Sequence, residues 1–80
     1  MKYYRIDRTG VDTEKALVKA FDVLDASRLD KDALIAYYYF LSHDSVTRIN
    51  HIKHISIDTV IRRLIEVQLI TLDDITIRLI

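Results

Sequence analysis

The sequence predicts an α+β domain, mainly α with a small β-hairpin near its C-terminal end. Three observations predict it. Apolar residues recur every three or four positions across 16–64, the period of helices with one buried face. From Leu69 onward the apolar residues alternate instead, and an Asp-Asp pair interrupts them, as in two strands about a tight turn. Proline is absent and glycine occurs once, at Gly10, so little of the chain suits loops. At 80 residues the chain has room for one core, and 1–80 is read as a single domain. Within it, 1–29 forms a strand-and-helix extension and 30–80 the main body.

The elements follow in order. Residues 2–7 are aromatic and β-branched and read as a short strand, which Arg8-Thr9-Gly10 ends. Asp12 or Thr13 caps a first helix, with Glu14 at its positive end. Ala16, Leu17, Ala20, Phe21 and Leu24 form its inward stripe, to about Ala26. Ser27-Arg28-Leu29 reads as a connection. Asp30 then caps a second helix, apolar on more than one face through Ala33, Leu34, Ala36, Tyr37, Tyr38, Phe40 and Leu41, so this helix is expected at the centre of the core. Of its aromatic run 37–40, two or three side chains should be buried, because four consecutive residues point in four directions.

Small polar residues at 42–45 end that helix. A short third helix is predicted over 46–53, with Val46, Ile49 and Ile52 on one side. Ser56 caps a fourth, whose inward stripe is Ile57, Val60, Ile61 and Leu64, with Asp58 in its first turn. The hairpin pairs 70–72 with 75–80 about Asp73-Asp74; Ile75, Ile77 and Leu79 point one way, Thr76 and Arg78 the other.

Composition removes several function classes. There is no cysteine, which excludes disulfides, thiol catalysis and cysteine-ligated zinc and favours a cytoplasmic protein. No run of about eighteen apolar residues and no signal-peptide pattern is visible, so the expectation is an unanchored chain with no membrane partner. One glycine cannot build a phosphate-cradling loop. Twelve basic and twelve acidic residues balance, so global charge argues for no polyanion. Locally, Arg48, Lys53, Arg62 and Arg63 face only Asp58 within 45–63.

Three helices and a hairpin, with a tight break between the second and third helices, resemble the winged helix-turn-helix superfamily, and residues 33–80 carry the likeness. Ser56, Thr59, Val60, Arg62 and Leu64 form a Ser-x-x-Thr-Val-x-Arg-x-Leu segment similar to the recognition helix of many bacterial and phage regulators. Leu69-Ile70 is similar to their entry into the wing. The resemblance implies a winged helix-turn-helix body over 30–80 with an extra N-terminal strand and helix, and a recognition helix at about 56–68 in the major groove. It implies a transcriptional regulator of bacterial, phage or archaeal mobile-element type, binding double-stranded DNA as a homodimer. Outward polar residues in the first turns of such a helix read the duplex: Asp58, Thr59, Arg62 and Arg63, with Ser56 at the cap. Arg48 and Lys53 would neutralise phosphates, and Arg78 would contact the backbone or minor groove from the wing.

Other chemistries have less behind them. His43, Asp44, His51 and His54 invite a metal reading, and two imidazoles three apart can share an ion, but a site also needs a third and fourth ligand held nearby; exposed polar positions near the turn are expected instead, with no metal and no cofactor. No nucleophile stands beside a base, and the expectation is a non-enzymatic protein. The alternative to DNA binding is a protein–protein interaction module on the same fold, an adaptor or phage-type inhibitor. Its grounds are zero net charge, the acidic turn Asp73-Asp74, and tyrosines and isoleucines in excess of what one core needs.

Overall fold

Helix caps and apolar spacing decide the local structure, and long-range strand pairing decides the rest. The computed structural model describes residues 3–49, 52 and 55–80. Among them the elements run β1 (Tyr4–Asp7), α1 (Thr13–Val23), α2 (Arg28–Ser42), β2 (Ser45–Val46), α3 (Ile57–Glu66), β3 (Ile70–Asp73) and β4 (Thr76–Leu79). The fold is small α+β, with three helices and a four-stranded mixed sheet in the order β2-β1-β4-β3.

Each helix begins on a side-chain oxygen that satisfies an otherwise orphaned amide. Asp12 accepts from the Lys15 amide, Ser27 from that of Asp30 and Ser56 from that of Thr59. The second helix therefore starts at Arg28, and Ser27-Arg28-Leu29 is its cap and first turn rather than a connection. Asp30 is not the cap. It sits in the first turn and points into the protein.

The sheet is larger than the predicted hairpin. β1 lies inside it, parallel to β4 with Ile6 opposite Ile77, and antiparallel to β2 with Tyr4 opposite Val46. Val46 thus belongs to a strand, and no helix occupies the described residues of the span 46–53, where one was predicted. A spacing of three among Val46, Ile49 and Ile52 fits a helix; pairing with β1 takes Val46 first. Side chains alternate across the sheet. Tyr4, Ile6, Ile70, Ile77 and Leu79 are buried, whereas Arg5, Thr71, Asp73 and Arg78 are exposed on the other face.

The helices close over the apolar face. Ala33, Ala36, Tyr37, Phe40 and Leu41 of α2 meet Val60, Ile61 and Leu64 of α3 in one core. Burial raises the Tyr37 pKa above its ordinary value. Tyr38 is exposed and Tyr39 half-buried, stacked on His43. On α1 only Ala16 and Ala20 are fully buried; Phe21, expected inward, is exposed. No helix among the described residues is long and apolar enough to cross a membrane.

Two sharp reversals need a left-handed backbone. The hairpin pairs Asp73 with Thr76, so its turn is Asp74-Ile75, one residue later than predicted; Asp74 takes φ 54°. At the end of α3, Gln68 takes φ 63°. The Leu69 amide reaches back to the Leu64 carbonyl and the Gln68 amide to that of Ile65. This closure delivers Leu69 and Ile70 into the core, and it normally has glycine at the left-handed position. Gln68→Gly should therefore stabilise the fold by about 1 kcal/mol, read as a higher urea midpoint at unchanged slope; a lower midpoint would show that the glutamine side chain contributes more than its backbone strain removes.

Candidate nucleic-acid interface

Helix α3 supplies the candidate surface, and its rotation about its own axis decides which side chains reach solvent. Val60, Ile61 and Leu64 are buried and Ile57 packs beside them. Ser56, Thr59, Arg62 and Glu66 fall on the outer side and are exposed. The Ser56 and Thr59 hydroxyls lie 2.9 Å apart at the helix entrance. Arg62 makes no ion pair among the described residues. Arg48, in the segment after β2, is also exposed and makes no ion pair among the described residues.

Arg63 is turned the other way. Its Nε donates to Asp30 Oδ1 at 2.7 Å and its Nη2 to Oδ2 at 3.1 Å, a two-point grip on a carboxylate that is 1% exposed. Glu66 approaches it from the next turn at 3.5 Å. The Asp30 carboxylate also accepts from the Asp25 amide. Hydrogen bonds from Arg63 hold the Asp30 pKa below the ordinary carboxylate value against the opposing effect of burial, and Asp30 in turn raises that of Arg63. Arg63 is thus a strut between α3 and α2, not a side chain offered to a duplex.

Two further predicted contacts are engaged inside the fold. The Asp58 carboxylate accepts from the Tyr4 hydroxyl at 2.6 Å, tying the first turn of α3 to β1. Arg78 donates to Asp7 at 3.2 Å on the polar face of the sheet, away from the buried face that α3 helps to cover. Asp7 is held down to about 2, first by hydrogen bonds from Thr9 and then by Arg78. The structure therefore brings Ser56, Thr59 and Arg62 together on one face, keeps the Asp58 carboxylate beside Arg62 on the flank toward β3, and turns Arg63 and Arg78 away. Lys53, His51 and His54 lie outside the described residues.

Composition alone missed a second polar concavity of about 770 Å³, lined by Arg5, Asp7, Arg8, Asp44, Thr76 and Arg78. Arg8 is anchored there on the Leu41 carbonyl at 2.9 Å and on the Asp44 carboxylate. The Asp30–Arg63 strut was missed too, although it left a signal. Asp30 shares a helix face with Ala33 and Tyr37, three and seven residues on, and a carboxylate in an apolar stripe requires a buried cation. Among the described residues no group of three or more potential ligands could hold a metal.

No family model, no curated protein and no solved structure matches the chain.

The two adjacent arginines should separate cleanly. Arg63→Ala strands the Asp30 charge and should cost on the order of 3 kcal/mol, whereas Arg62→Ala should stay within about 0.5 kcal/mol of the parent. Urea unfolding of both variants measures this. Because the Asp30 pKa is depressed in the folded state, its contribution is complete above the ordinary carboxylate value and is lost as pH falls through the folded one. Asp30→Asn should accordingly flatten the acid side of the stability profile.

Proposed function

We propose that the chain binds double-stranded DNA through the outer face of α3. The observation that carries this reading is the setting of that helix: its apolar stripe faces α2 while Ser56, Thr59 and Arg62 line its first two turns in solvent. Polar side chains at the beginning of a helix are those that reach base edges when the helix enters a major groove. On this reading Arg62 donates twice to a guanine, and Thr59 touches a thymine methyl or a phosphate. Helix entrances also carry partial positive charge, which favours phosphate near Ser56. Arg48 adds a phosphate contact, and Lys53 another. The order α2, α3 and the β3–β4 hairpin is that of a winged helix without the helix expected over 46–53, and on this reading the chain is a small regulator of the winged-helix kind. Arg63, Asp58 and Arg78 hold the scaffold and contact no base.

A second reading, a protein-binding module, is favoured by the groove between α3 and β3. Ile65 and Leu72 are exposed there beside Arg62, with Ile61 at its floor, and Asp73 and Asp74 stand at the adjoining turn. Such a mixture suits a peptide side chain better than a phosphate.

Salt separates the two readings. With two or three phosphates neutralised per copy, log K for a duplex should fall against log salt with a slope of about −2 to −3. Arg62→Ala and Arg48→Ala should each flatten that slope by about one and weaken binding. Fluorescence anisotropy on a random duplex pool at low salt measures this. Absence of salt-dependent binding, or a slope untouched by Arg62→Ala, refutes the DNA reading.

A further inference from the structure

Helix α1 has a second face that the fold does not use. Ala16 and Ala20 enter the core, with Leu17 and Leu24 packed beside them. On the opposite side Val18 and Phe21 are 61% and 64% exposed. A phenylalanine that remains in water forgoes about 2 kcal/mol of burial. The charges around this pair are ordered. At 100° per residue, Lys15 and Asp22 lie on the same flank of Val18, one turn before it and one turn after. Phe21 and Glu14 lie on the other flank, and Lys19 is further round. Neither Lys15 nor Asp22 forms an ion pair among the described residues.

We infer that this face binds a second copy of the chain, with the two α1 helices packed antiparallel about a two-fold axis between Val18 and Lys19. Such an axis sets each flank against the same flank of the partner and reverses its direction. Lys15 then meets the partner's Asp22, and Asp22 meets the partner's Lys15. Phe21 lies over the partner's Val18 and the edge of its Leu17, with the partner's Glu14 alongside. Charge and shape are thus self-complementary in one register. A parallel pairing would also offer Lys15 a carboxylate, the partner's Glu14, but it sets Asp22 against the partner's Phe21 and aligns the two helix dipoles, which favours the antiparallel arrangement. With 11 residues in α1, the seam is about 16 Å long. A seam of that length with two exposed apolar residues from each copy is smaller than a standard specific interface, so the dissociation constant should be no tighter than about micromolar.

The surface shares no residue with the outer face of α3, and its test needs no DNA, so its failure and that of the DNA reading are separable. Sedimentation of the full chain from about 10 μM to about 1 mM should show a monomer passing to a dimer. Phe21→Glu should weaken self-association by about tenfold or more while leaving the circular dichroism spectrum and urea midpoint near those of the parent, because the side chain is exposed. Lys15→Asp and Asp22→Lys should each weaken it, and the two together should restore it, since the swapped pair meets in the same register. A chain monomeric throughout the range, a dimer indifferent to Phe21→Glu, or a double swap that fails to recover overturns the inference.

Discussion

A single buried carboxylate sets the geometry of the helical layer. Asp30 is the one charged side chain that is fully buried among the described residues, and a charge taken out of water demands a partner. It finds Arg63 across the helix pair and the amide of Asp25 just after α1. Helices α2 and α3 and the connection that leads from α1 therefore meet at one ionised group. Ion pairs of this kind contribute little more stability than a well-packed hydrophobic contact would, because desolvation offsets most of the attraction. What the pair does contribute is direction. With Arg63 held toward α2, Arg62, a hundred degrees away around α3, is turned out to solvent. The strut thereby selects the face of α3 that the surroundings meet.

That selection changes how the charge of the chain is counted. By residue type, 45–63 holds four cations against Asp58. In space Arg63 is neutralised by Asp30, and Asp58 is turned to Tyr4. The outer face keeps Arg62 with two hydroxyls, Ser56 and Thr59, and Glu66 one turn later. Electrostatic attraction to a polyanion from one such face is modest, so the case for a duplex rests on the shape and polarity of the helix entrance. One copy makes few phosphate contacts. Two copies joined through α1 would convert the second contact into an intramolecular one and raise affinity without any new residue.

Local pattern carried three of the four predicted helices and, one residue out, the hairpin, because caps and apolar period are written within a few residues of each other. Ser56 and the stripe Ile57, Val60, Ile61 and Leu64 placed α3 to within two residues of its observed end. What local pattern cannot carry is pairing at a distance. Nothing near Tyr4 announces that Val46 and Ile77 will flank its strand, and the same spacing of Val46, Ile49 and Ile52 that suggested a helix leaves Val46 available to a sheet. Adjacent arginines posed the same problem in the candidate site. Arg62 and Arg63 are equivalent as letters, and only a carboxylate 33 positions away tells them apart.

The long-range polar contacts obey one rule that bears on function. Tyr4 with Asp58, Asp7 with Arg78, Arg8 with Asp44 and Asp30 with Arg63 each join elements remote in sequence. Charges are used there in opposite-sign pairs, or capped by a hydroxyl, at the rim of the apolar core, where they fix how strands and helices meet. Arg48, Arg62, Lys15 and Asp22 stand outside this set of ion pairs. A solvated side chain needs no partner to satisfy the fold, so its identity is constrained by what approaches from outside. On α3, Arg62 stands beside two hydroxyls and between the carboxylates of Asp58 and Glu66, one turn before it and one turn after, so that face carries little net charge. On α1 the unpaired charges are of opposite sign and straddle exposed apolar residues, which suits a partner with the same pattern reversed.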